Sequence, residues 1–251
     1  MGAKATDQLI QAGSVDEIKQ RIDEIRERTD RGGFAIVRGA FGKDAVASLR
    51  ERLRRCFDPR ADVRISGHYQ RGWKDFQRLD LGEYVASSRF ARYFFFFPWN
   101  GDAEIERVAA DQIDIFNRLA RKSAAFGSQT AADSNPDRFR MSFAIQYPTG
   151  GGFMSRHREW TQQEEGDKAY ALYLALTTRG EDFDSGGAWV ELDGQRVDID
   201  AHVEAGDLVL YRGDHYHGVS GIDRDKPVVL DRVSGRIMFT TTIKYFERSA
   251  S

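Results

Sequence analysis

Cysteine is almost missing from this sequence: Cys56 is the only one in 251 residues. No internal disulfide can form, and a thiolate metal cluster is excluded. Long apolar runs are missing too. The greasiest patch, Phe94-Phe95-Phe96-Phe97, falls far short of the roughly 18 residues that a membrane helix needs. The opening stretch MGAKATDQLIQAGSVDEIKQ has no signal-peptide apolar segment. Net charge is small, formally −2, and no long basic run is present, which argues against nucleic acid as a partner. These absences lead us to expect a cytoplasmic protein with no membrane and no nucleic-acid partner. They leave its oligomeric state open.

What is present reads as one domain over 1–251. Val15, Ile18, Ile22 and Ile25 recur at spacings of three and four, which predicts a helix over 14–29 with Ser14 as N-cap. Gly32-Gly33 stop it, and FAIVRG reads as a short buried strand. A second helix is expected over 42–55 and a third over 103–125. The stretch between them, rich in aromatics and arginines, has no clean period. We therefore divide the chain into a mainly helical part, 1–135, with a possible substrate lid from His68 to Trp99, and a β part, 136–248. In the β part RFRMSFAIQY, AYALYLALTT, AWVEL, DLVLY and GRIMFTTTIKYF are strand-like, rich in β-branched and aromatic residues. Turn clusters such as PTGGG and EDFDSGG separate them. Many short strands at this spacing suggest a sandwich or closed roll.

Two short motifs in the β part carry chemistry. In GGFMSRHREW, His157 and Glu159 are two apart, so on an extended backbone they share a face while Arg158 points away. In GDHYHGV, His215 and His217 would also share a face, and spacing alone does not choose between them. Two histidines and one carboxylate on one side of an ion form the facial triad of non-haem Fe(II) oxygenases, with further positions left open. A bidentate 2-oxo acid would fill two of these, and a distal carboxylate on it would need a buried cation. A planar arginine fork suits that need. Arg236 is the best placed; Arg224 and Arg232 lie in turn-rich sequence. Read alone, His157 and Glu159 are better explained as a surface pair, and it is the order of the downstream GDHYHGV motif and Arg236 that favours a metal; a sheet-surface arginine is the lesser reading of Arg236.

In order, YPTGGGFMSRHRE, LTTRGEDFDSGGAWVEL, EAGDLVLYRGDHYHGVSGI and GRIMF resemble the core of the Fe(II)/2-oxoglutarate-dependent dioxygenases. The similarity is to the small bacterial branch related to phytanoyl-CoA and amino-acid hydroxylases, with a clavaminate-synthase-like His-x-Glu…His triad. It spans roughly residues 136–246. The resemblance implies a mainly β fold with flanking helices, a double-stranded β-helix (jelly roll, cupin-like). It implies Fe(II) held by His157, Glu159 and His217, with 2-oxoglutarate and O2 as co-substrates and Arg236 as the 2-oxoglutarate anchor. The family pattern often has Ser two residues after that arginine, where this chain has Met238. Tyr147, Tyr211 or Thr240 is expected to supply the missing hydroxyl.

The expected reaction is hydroxylation of an unactivated C–H bond in a small polar metabolite such as an amino acid, giving succinate and CO2. Desaturation or oxidative cyclisation would use the same cofactors. Halogenating relatives put Gly or Ala where Glu159 stands, so halogenation is disfavoured. From another class, a non-redox metal-dependent lyase, isomerase or ligand-binding roll would have no use for Arg236. His215, Arg71 and Trp73 are expected to face substrate; His68 and His202 read as solvated or structural. Phe94 to Phe97 are expected to fill core between helices and roll. Gly150 to Gly152 suit a turn, not a phosphate cradle, because no GK[ST] follows.

Overall fold

A computed structural model describes residues 8–60, 70–84, 87–121, 138–159 and 170–245. Its elements in order are β1 (Leu9–Gln11), α1 (Val15–Gln20), α2 (Ile22–Gly32), β2 (Phe34–Arg38), α3 (Lys43–Cys56), β3 (Phe76–Tyr84), β4 (Ser87–Phe96) and α4 (Ala103–Leu119). Then come β5 (Arg138–Tyr147), β6 (Phe153–His157), β7 (Tyr170–Ala175), β8 (Gly187–Leu192), β9 (Gln195–Asp198), β10 (Leu208–Arg212), β11 (His217–Ser220) and β12 (Arg236–Tyr245).

The strands run side by side in the order β1-β2-β10-β7-β12-β5-β4-β6-β11-β8-β9, with β3 paired to β4. Only β1–β2 is parallel; the other pairs are antiparallel. β4 is the fold line: Arg92 to Phe96 pair with β5, while Arg89 and Phe90 pair with β6. One sheet thereby turns back over itself as a jelly roll, the architecture expected.

Side chains alternate across this sheet because successive residues of a strand face opposite ways. On β2, Phe34 and Ile36 enter the roll, whereas Ala35 and Val37 face the helices. The four phenylalanines divide likewise. Phe94 and Phe96 pack on the helix side, with Ile105, Val108 and Ile115 of α4, and Phe95 and Phe97 point into the roll. The expectation that all four fill the space between helices and roll therefore holds for two of them.

Helices α1, α2 and α4 lie close to the sequence expectation, although α4 stops at Leu119 rather than continuing to residue 125. Ser14 caps α1 by accepting the Glu17 N–H at 3.2 Å. The helix expected over 14–29 is broken at Arg21, which leaves helical geometry and donates to the Gln11 carbonyl of β1 at 2.5 Å. Four strands, β1 to β4, come from the part expected to be mainly helical. Much of the stretch expected as a lid is the β3–β4 hairpin, paired along its whole length. Among the described residues no helix is long and apolar enough to cross a membrane.

Candidate metal centre

β6 ends on His157 and β11 begins on His217, and the two face each other as register partners. Their ring centroids lie 4.3 Å apart. Each imidazole is fixed by its own strand: Nδ1 of His157 is 2.9 Å from the Ser155 carbonyl, and Nδ1 of His217 is 3.0 Å from that of His215. A carbonyl only accepts, so the proton sits on Nδ1 of both rings and leaves each Nε2 with a lone pair.

Glu159 completes the group. Its N–H donates to the Gly213 carbonyl at 2.9 Å, which ties the chain after β6 to the turn after β10. One ligand atom from each of His157, Glu159 and His217 lies within 4.8 Å of the others. Two donors on the same ion are at most about 4.2 Å apart, twice a bond of about 2.1 Å. Side-chain shifts of less than an ångström therefore close the group on a metal.

The electrostatics point the same way. His217 Nε2 is buried and has no hydrogen-bond partner among the described residues. The Glu159 Oε1 atom lies 3.5 Å from it. A lone pair facing a carboxylate oxygen is unfavourable unless a cation lies between them. Burial holds His157 below the ordinary imidazole range, which keeps it neutral and able to ligate. The Tyr211 hydroxyl, 3.4 Å from Glu159 Oε1, favours the charged carboxylate. The donor set thus fits a divalent cation on an observation independent of the motif.

His215 lends this group its carbonyl, and its ring is not among the converging ligands. Of the two histidines, His217, the one the family resemblance favours, is the one whose ring lies with His157 and Glu159. Arg158 points outward, as expected, and stacks on the Tyr216 ring at 3.9 Å. Tyr211 places its hydroxyl 3.4 Å from Glu159 Oε1, beside the candidate metal group.

Arg236 begins β12 and is 3% exposed. Its guanidinium lies 5.4 Å from the Tyr147 ring centroid and 5.1 Å from that of Tyr173. Its Nε and Nη2 donate to Asp200 at 2.5 and 3.3 Å. Nη1 and the Tyr173 hydroxyl, both buried, have no hydrogen-bond partner among the described residues. Burial works against the arginine's charge, but the Asp200 carboxylate more than offsets it.

Of the remaining expected residues, Tyr147 flanks Arg236 and the others lie elsewhere or are engaged in other contacts. The Thr240 hydroxyl donates to the Leu172 carbonyl at 2.6 Å and is engaged in holding β12 to β7. Tyr147 is wholly buried, its hydroxyl 3.9 Å from Met154 sulfur. Trp73 belongs to an aromatic core in which Phe76 stacks on Phe95 at 4.6 Å and Phe97 on Trp99 at 5.0 Å. Arg71 is exposed nearby. Arg232 stands at the surface beside Asp231, and His202 lends its carbonyl to Arg38. His68 lies outside the described residues. Sequence reasoning missed Tyr173 and Asp200. Alternation along AYALYLALTT puts Tyr173 on a buried face, but only the register shows which face carries the arginine.

No protein-family model matches the sequence, and no curated protein sequence does either. Solved structures do match. A Pseudomonas putida prolyl-4-hydroxylase aligns over 91% of this chain and 100% of its own, with 16% identity and a TM-score of 0.56. A full-length Neurospora crassa protein, solved in complex with α-ketoglutarate, aligns over 94% and 84%, with 10% identity and a TM-score of 0.56. The fold is that of the 2-oxoglutarate–Fe(II) oxygenases. A further match is the epimerase SnoN, solved with Fe3+, α-ketoglutarate and nogalamycin RO; it covers 91% of this chain and 87% of its own, at 11% identity and a TM-score of 0.52. A hydroxylase and an epimerase thus share the scaffold, and the scaffold alone does not fix the reaction.

Proposed function

We propose that this protein is an Fe(II)/2-oxoglutarate-dependent oxygenase that hydroxylates an unactivated C–H bond of a small metabolite. The observation that carries the reading is the His217 Nε2 lone pair, buried without a hydrogen-bond partner among the described residues and facing the Glu159 carboxylate. His157 lies opposite it on the neighbouring strand, its Nδ1 likewise held by a backbone carbonyl.

In this reading His157, Glu159 and His217 hold Fe(II) from one side of the ion, which leaves the opposite side open. With 2-oxoglutarate as co-substrate, the iron supplies the oxidising chemistry by which dioxygen hydroxylates a C–H bond while the 2-oxo acid becomes succinate and CO2. The chain's own contribution is placement. The Ser155 and His215 carbonyls fix both imidazoles as Nε2 ligands, and Tyr211 donates a hydrogen bond to Glu159. Arg236, deep in the roll, receives the distal carboxylate of the 2-oxo acid. Phe143 and Met238 pack at the edge of the roll's interior core and remain half-exposed. They suit a substrate with an apolar portion next to the polar groups expected of a small metabolite.

Anaerobic addition of Fe(II) and then 2-oxoglutarate is expected to produce a weak visible charge-transfer band. Admission of oxygen should then bleach it and yield succinate. No band, together with a metal-dependent activity indifferent to oxygen, would favour a non-redox lyase or isomerase on the same roll. Succinate formation that required chloride would instead point to halogenation, which Glu159 disfavours by filling the position a halide needs.

A further inference from the structure

Arg236 would ordinarily be expected to meet a carboxylate with two parallel N–H bonds. Here that bidentate edge is taken, because Asp200 accepts from Nε and Nη2. Asp200 is itself seated firmly. It is 5% exposed and accepts the Ala188 N–H at 2.8 Å. Gly187 makes room for it: with φ at +128°, its position allows no Cβ, which would lie 2.7 Å from an Asp200 carboxylate oxygen. Two aromatic rings, Tyr147 and Tyr173, flank the guanidinium. The rings crowd the guanidinium, and Asp200 holds its Nε–Nη2 edge. One edge is left over, with Nη1 and, beside it, the Tyr173 hydroxyl, and neither has a hydrogen-bond partner among the described residues.

We propose that Asp200 is a positioning residue for the co-substrate. It grips the outer edge of Arg236 so that Nη1, together with the Tyr173 hydroxyl, forms the receptor for the distal carboxylate of a 2-oxo diacid. This rests on the oxygenase reading above and adds to it the group that sets diacid selectivity. Asp200 also explains how a buried arginine is tolerated before the co-substrate arrives, since an unpaired charge there would be strongly unfavourable. Two donors on one side of the distal carboxylate, one of them cationic, should favour 2-oxoglutarate over a monocarboxylate of equal length. Each charge-assisted bond of this kind changes affinity by about tenfold or more.

The test compares 2-oxoglutarate with 2-oxopentanoate, which lacks the distal carboxylate, by anaerobic titration of the Fe(II)-loaded protein followed through the charge-transfer band. Iron affinity is measured separately. The wild type is expected to prefer the diacid by about a hundredfold. Asp200→Asn should lower that preference about tenfold, with the affinity for 2-oxopentanoate and for Fe(II) unchanged. Asp200→Glu keeps the charge, and so the folded state, but its extra methylene displaces the guanidinium; it should lose preference too. Tyr173→Phe removes a single oxygen and should lower the preference several-fold. A merely structural role for Asp200 would weaken both 2-oxo acids and iron together, leaving their ratio intact. An unchanged ratio in the Asp200 variants would overturn the proposal. So would tighter 2-oxoglutarate binding by Asp200→Asn, because Asp200 would then be a competitor of the co-substrate. A wild type that gives no band with either 2-oxo acid would refute the oxygenase reading itself, a result distinct from both.

Discussion

Replacing His217 by alanine separates metal binding from folding. In the metal-free protein, the ring's Nδ1–H bond to the His215 carbonyl contributes about 1 kcal/mol, while burying Nε2 without a hydrogen-bond partner costs about 1–3 kcal/mol. The two terms, with a small cavity left behind, nearly cancel, so the variant's apo stability should stay within about 1–2 kcal/mol of wild type. Metal binding behaves differently. At a free Fe(II) concentration about a hundred times Kd, a site that exists only in the folded state adds about 2.7 kcal/mol. For a chain of this length each kcal/mol raises Tm by about 2–4 °C, so the wild type should gain about 5–11 °C. Anaerobic thermal melts over an Fe(II) series read both quantities. His217→Ala should melt near the wild-type apo temperature and gain nothing from iron. If the variant keeps the iron-dependent shift, or if the wild type never shows one, His217 is not a ligand.

Other consequences follow from single contacts. Tyr211→Phe removes the hydroxyl 3.4 Å from Glu159 and should weaken iron binding by up to about tenfold, as measured by anaerobic titration, without changing the fold. Phe239, fully buried against Phe96 between β12 and the helices, should cost about 3–5 kcal/mol of stability on substitution by alanine; denaturant unfolding reads this. Burial pushes the Cys56 thiol up to about 11, so little more than about 0.1% is thiolate at pH 8. Alkylation by iodoacetamide should therefore be slow in the native protein, rise about tenfold per pH unit, and become fast on unfolding.

The His157–Glu159 half of the candidate metal group was legible in the sequence because its spacing is a local property. A residue pair two apart on a strand shares a face wherever the strand lies, so HRE announced itself before any fold was known. The rival histidine in GDHYHGV could not be resolved in the same way. His215 and His217 have the same parity, and only the pairing of β11 with β6 sets His217 opposite His157. The β3–β4 hairpin escaped notice for a related reason. Phe94 to Phe97 are buried on both faces of the sheet, so no polar residue marks every second position. The surroundings of Arg236 were the least readable. Tyr173 and Asp200 reach it through strand register and through the turn after β9, and neither relation leaves a short-range pattern. Thr240 had the right type and parity for a co-substrate contact, yet its hydroxyl is engaged by the Leu172 carbonyl.

Crystals grown without oxygen in the presence of Fe(II) would place the metal directly by its anomalous scattering. A single peak about 2.0–2.3 Å from Nε2 of His157, Nε2 of His217 and a carboxylate oxygen of Glu159 is the expected result. A peak that omits any one of the three, or no peak at saturating Fe(II), would contradict it.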